Sequence, residues 1–140
     1  VDTVEAQWTS GTLAVIAVHL AGWPIDMTAL CDWAEFREVR IIEDVAQAHG
    51  GMWAGQPLGT FGAAAAWSFC QDKIMSTGGE GGMITTNNEK YVEHIHSLRN
   101  HGSKERYFHD EIGYNYKMNK LFKISTIPAP SEYKPFPYPG

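Results

Sequence analysis

Apolar residues along this chain gather into short continuous runs, separated by stretches where they recur at helical spacing. Leu13 to Leu20, LAVIAVHL, is an apolar, β-branched run between Gly11 and Gly22, which predicts a strand covered on both faces. Asp26 then offers a cap for a helix carrying Met27, Leu30, Trp33 and Ala34 inward, with Glu35, Arg37 and Glu38 outward. Val39 to Ile42 reads as a second buried strand, stopping at the acidic pair Glu43 and Asp44. Strand, helix and strand in that order predict a right-handed parallel crossover. Gly62 to Phe69 and Gly81 to Thr86 predict a third and a fourth strand. Asn87 or Asn88 then caps a helix bearing Tyr91, Val92, Ile95 and Leu98, ended by Asn100, His101 and Gly102. The fold class is α/β, with three layers around a mostly parallel sheet.

The pattern breaks after Leu121. Five of the seven prolines fall between Pro128 and Pro139, which bars a helix or a central strand there. Residues 1–121 are thus expected to form the folded unit and residues 122–140 an irregular proline-rich tail.

Composition narrows the function classes. A chain of 140 residues, 44% hydrophobic and 19% charged, can bury the core of one domain. A formal net charge of −5 with scattered Lys and Arg argues against nucleic acid as partner. The two cysteines, Cys31 and Cys70, are too few for a disulfide framework or a zinc knuckle and fit a reducing cytoplasm. Apolar runs are too short to span a bilayer, so no membrane role is expected. His94 and His96 sit two apart on a predicted helix and point to different faces, so no metal site is expected; His49 reads as a packing or hydrogen-bonding group after a strand. TGGEGG, residues 77–82, lacks the Gly-Lys-Ser/Thr ending of a Walker loop and precedes a strand instead of a helix.

Open α/β sheets bind ligands beyond the carboxyl ends of their strands. Those positions hold Glu43 and Asp44 after the second strand, Gln47 just beyond, and Ser68 through Lys73 after the third. An acid, an amide, a hydroxyl and an amine form a set suited to one chemistry. A desolvated amine can condense with an aldehyde, as lysine does with pyridoxal 5′-phosphate; a carboxylate, here Asp44, keeps the pyridine nitrogen protonated; a hydroxyl holds the phosphate.

Six blocks, VHLAGWPIDM, IIEDVAQAHGG, GQPLGTFG, SFCQDKIMSTGGEGGMITTNNE, SLRNHG and GYNYKMNKL, run through the chain in this order. Together they resemble the DegT/DnrJ/EryC1/StrS family, over about Val1 to Leu121. The resemblance implies a pyridoxal-phosphate-dependent aminotransferase that moves an amino group, with glutamate as donor, onto a nucleotide-linked keto sugar. It implies the large domain of the aspartate aminotransferase superfamily, fold type I. By the same resemblance Lys73 bonds the cofactor and moves the proton, Asp44 meets the pyridine nitrogen, Gln47 touches the phenolic oxygen and Ser68 binds the phosphate. Asn115 matches a residue reaching the cofactor phosphate of the neighbouring subunit, which implies a homodimer with shared sites.

Departures from the family pattern are also visible. Lys117 stands where Arg is usual, and Gly62-Ala63 where Gly-Asp is frequent. The chain opens on Val1, and the family's phosphate-gripping loop and ring-stacking aromatic would lie upstream of it. The expectation is therefore the middle of a large domain, with weakened cofactor binding when taken alone. The rival reading keeps the fold and drops catalysis, leaving an inactive scaffold or assembly module.

Overall fold

A computed structural model of the chain describes residues 1–105 and 107–117. The expected tail at 122–140, the boundary at 121 and the end of the GYNYKMNKL block lie outside the described residues. Helix α1 spans Asp2–Gln7 and strand β1 Ala14–Val18; helix α2 (Met27–Phe36) leads to β2 (Arg40–Asp44). A small hairpin, β3 (Met52–Trp53) and β4 (Gln56–Pro57), precedes β5 (Ala64–Ser68), β6 (Gly82–Thr85) and helix α3 (Glu89–Arg99). The main sheet has the order β1-β2-β5-β6.

The apolar runs form strands where predicted. β1 pairs with β2 and β2 with β5, all parallel, but β6 runs antiparallel to β5. The cause is the connection: residues 69–81 form a loop that folds back at the same edge, so the chain re-enters the sheet reversed. A parallel re-entry would need a crossover to the opposite edge, usually a helix.

Asp26 caps α2 as expected, its side chain accepting from the Ala29 N–H at 2.9 Å. Met27, Leu30, Trp33 and Ala34 are buried, at helical spacing, against the sheet. Each large side chain so buried contributes roughly 1.5–3 kcal/mol. The helix ends in a Schellman motif: the Val39 N–H reaches the Ala34 carbonyl at 2.9 Å and the Glu38 N–H the Glu35 carbonyl at 3.2 Å. Glu38 occupies the left-handed position of that motif with φ 54°, where glycine is usual. Buried Val39 and Ala34 supply the accompanying apolar contact. Asn88 caps α3, accepting from Lys90 N at 3.0 Å and Tyr91 N at 3.4 Å. The inner set expected for α3 holds in part, because Val92 is 39% exposed. Its Tyr91 hydroxyl accepts from Arg40 at the start of β2.

Two faces of the sheet differ sharply. In register, Ala17, Glu43 and Ala65 share one face and are buried with α2 and the 45–61 segment over them. Ile16, Val18, Ile42 and Ile84 lie on the other face and are 65, 42, 38 and 51% exposed. The strand expected to be covered on both sides is thus covered on one, and two of the three predicted layers are present among the described residues. No helix among those residues is long and apolar enough to cross a membrane.

Candidate active site

Parallel pairing brings the carboxyl ends of β1, β2 and β5 to one edge, with Val18 opposite Asp44 and Asp44 opposite Ala66. Ser68 lies two residues beyond Ala66 and therefore on the face that Asp44 uses. Asp44 is half-buried; its Oδ1 accepts from the Ala46 N–H at 3.0 Å, and among the described residues nothing engages Oδ2. Ser68 Oγ, also half-buried, has only a long contact from the Cys70 N–H, at 3.5 Å.

Lys73 stands in the loop that leaves β5. That loop is pinned at its base, with Phe69 N donating to Gly81 O at 2.7 Å and Thr77 N to Phe69 O at 3.0 Å. The Thr77 hydroxyl, 5% exposed, adds a bond to the Phe69 carbonyl at 3.2 Å. A turn with Lys73 N donating to Cys70 O at 3.1 Å keeps the lysine near Ser68 along the chain. Lys73 is half-buried and its amine has no partner among the described residues.

Gln47, three residues past Asp44, is exposed, and its Oε1 accepts the Ala21 N–H at 2.7 Å. Asn115 is not brought to this edge by any contact among the described residues. It is exposed beside the end of α3, bridged to Asn100, with Tyr114 N donating to Leu98 O at 2.7 Å.

Glu43 requires a correction. Expected at the strand end beside Asp44, it turns to the opposite face and is fully buried. Its Oε1 accepts from Phe61 N at 2.8 Å and Gly62 N at 2.7 Å; its Oε2 accepts from Gly59 N at 2.6 Å and lies 3.3 Å from His19 Nε2. Strand alternation alone separates neighbours in this way, and that was the signal available for Glu43. Nothing local announces His19 as its partner.

His49 packs its ring against Trp67 and Phe69, with centroids 5.6 and 5.5 Å apart. His94 is a surface residue 3.4 Å from Glu111, and no cluster of metal-binding side chains occurs among the described residues. Two cavities lie elsewhere. One, of about 300 Å³, is lined by Val4, Trp8, Val15 and Trp33; the other, of about 390 Å³, by Lys90, Glu93, Lys104 and Glu111. Asp44 and Ser68 instead stand at the carboxyl edge of the bare sheet face, with Lys73 in the loop that follows.

Comparison with known proteins bears on the fold and the family. The UDP-N-acetyl-3-dehydro-α-D-glucosamine 3-aminotransferase of Acidithiobacillus ferrooxidans is 40% identical over 118 residues, which are 84% of this chain and 32% of that protein. The solved aminotransferase of Psychrobacter cryohalolentis superposes with a TM-score of 0.81 at 39% identity, over 86% of this chain and 34% of that one. The GDP-4-keto-6-deoxy-D-mannose-3-dehydratase of E. coli, solved with bound hydrated PLP, superposes with a TM-score of 0.67 at 26% identity, over 72% of this chain and 26% of that one. The chain spans about a third of the length of the curated relatives it matches. Residues 1–122 match the family, a span that takes in every described residue, and the protein belongs to the DegT/DnrJ/EryC1/StrS aminotransferase family.

Proposed function

We propose that the protein takes part in pyridoxal-phosphate-dependent transfer of an amino group, with glutamate as donor, to a nucleotide-linked keto sugar. The observation carrying this reading is the shared face of Asp44 and Ser68 at the carboxyl edge, with Lys73 in the pinned loop that follows. The donor set fits pyridoxal phosphate: a carboxylate oxygen and an amine without partners, a weakly engaged hydroxyl and an amide whose carbonyl is already occupied. Relatives named for nucleotide-linked keto sugars support the substrate class.

When bound, the cofactor supplies an electron sink. Asp44 holds a proton on the ring nitrogen through its unengaged Oδ2, as a carboxylate favours the charged form of its neighbour. The Ser68 hydroxyl donates to a phosphate oxygen. Gln47 donates from Nε2 to the phenolic oxygen, since Oε1 is held by Ala21. Lys73 would hold the cofactor through Nζ, and its amine, when free, would serve as the general base that moves the proton. Asn115 would serve the cofactor phosphate of a second subunit in a homodimer, consistent with its exposed place beside the end of α3. The free thiols of Cys31 and Cys70 suit a cytoplasmic enzyme.

The test is transfer of ¹⁵N from glutamate to nucleotide-linked keto sugars, followed by mass spectrometry. Lys73→Ala is expected to cut the rate by about a hundredfold or more. Transfer retained at the wild-type rate would remove Lys73 from the chemistry, and a protein unable to load cofactor at all would favour the scaffold.

A further inference from the structure

The structure assigns the buried His19–Glu43 pair a positioning role: it holds the Leu20–Gly22 turn so that the Ala21 N–H captures the Gln47 carbonyl, leaving the Gln47 NH₂ as the donor offered to the ligand. This deepens the aminotransferase reading and rests on it only for the identity of that ligand.

Glu43 is a saturated anchor. Three backbone N–H groups, of Gly59, Phe61 and Gly62, and the His19 ring converge on its two oxygens, and the Glu43 and His19 side chains are both out of solvent. His19 has a defined tautomer. Its Nδ1 lies 3.3 Å from the Ile25 N–H and so accepts, which puts the ring proton on Nε2, facing Glu43 at 3.3 Å. The ring thereby ties the carboxylate to a backbone position six residues further on.

The intervening turn is fixed at both ends, because the His19 N–H also donates to the Asp44 carbonyl at 3.1 Å. Within it Ala21 takes φ 54°, a left-handed conformation that residues with a Cβ seldom adopt. A Cβ at Gly22 would lie 3.4 Å from the Gln47 carbonyl, so the turn already rests on the Gln47 backbone. In this held conformation the Ala21 N–H meets Gln47 Oε1 at 2.7 Å. A backbone N–H can donate only to the oxygen end of an amide, so the contact decides which way the Gln47 side chain is turned. A buried pair therefore sets which way the exposed Gln47 side chain is turned.

Hydrogen exchange of the Ala21 amide, measured by NMR in cofactor-free protein, tests the linkage. Gln47→Leu, at an exposed position, and His19→Leu are each expected to speed exchange about five- to tenfold, as for loss of one hydrogen bond. The double variant is expected to exchange no faster than the faster single. His19→Asn, which cannot reach Glu43, is the milder substitute if His19→Leu does not fold, and it too should speed exchange. Wild-type exchange in Gln47→Leu or in the folded His19 variant, or effects that multiply in the double, overturns the inference. The absorption spectrum of added pyridoxal phosphate is read in parallel, and the His19 variant should shift it as Gln47→Leu does. A wild-type protein that binds no cofactor defeats the aminotransferase reading, while the exchange rates still decide the linkage.

Discussion

Glu43 and Asp44 are neighbours in β2 yet serve opposite faces of the sheet: Glu43 is fully buried among four donors, and Asp44 stands half-buried on the face it shares with Ser68. The two acids should therefore answer differently to the same chemical change. Glu43→Gln turns part of an acceptor-only group into a donor facing donors and is expected to cost about 2–4 kcal/mol. Asp44→Asn keeps the Oδ1 that receives Ala46 N and should cost less than about 1 kcal/mol, while weakening cofactor binding. Urea unfolding of both variants, with cofactor titration of the second, measures the contrast.

Glu38 sits where the Schellman motif of α2 favours glycine, with φ 54° and an exposed side chain. Glu38→Gly removes the Cβ penalty, partly offset by the greater entropy of glycine in the unfolded chain. A net gain of about 0.5–1 kcal/mol is expected in thermal unfolding. A loss of stability would show that the side chain makes an interaction the backbone geometry hides.

Glu5 is held below the usual carboxylate range, first by hydrogen bonding from Arg37, then by the Trp33 indole, whose Nε1 donates to Oε2 at 2.6 Å. A folded value below the unfolded one stabilises above the unfolded value and ceases to do so as pH falls through the folded one. Wild type should thus melt above Glu5→Gln at neutral pH, and the gap should narrow as pH falls through the usual carboxylate range and close below it. With Glu5 side chain 41% exposed the gap should be small and should shrink further in salt.

Cys31 is pushed upward by burial, with the charges of Glu43 and Asp32 adding to it. Fewer thiolates at a given pH mean slower alkylation. At about pH 8, iodoacetamide should modify Cys31 more slowly than a small peptide thiol, as read by peptide mass over time. Equal or faster modification would contradict the assigned environment.

Where apolar runs met clear boundaries, the elements could be read directly: glycines bracket β1, and Asp26 and Asn88 cap α2 and α3. β3 and β4 carry two residues each, too short for any period, and their turn through Ala54 and Gly55, both at positive φ, lacks the usual asparagine. α1, DTVEAQ, has no apolar stripe to announce it. The direction of β6 depends on where the irregular loop 69–81 turns back, which hydrophobicity does not encode. The bare face of Ile16 and Ile42 is not legible in the chain, because a one-sided and a two-sided strand give the same apolar run. At the site, Asp44 and Ser68 were visible from their places at strand ends, whereas the His19–Glu43 pair joins residues 24 apart through the core and has no local signature.

The central claim concerns Lys73, and the most direct measurement is chemical trapping. The protein is incubated with pyridoxal 5′-phosphate, reduced with borohydride, digested and mapped by mass. One stable adduct is expected, joining the cofactor's aldehyde carbon to Lys73 Nζ, absent from Lys73→Ala and diminished in Asp44→Asn. Label spread over other lysines, or none at position 73, would contradict the account.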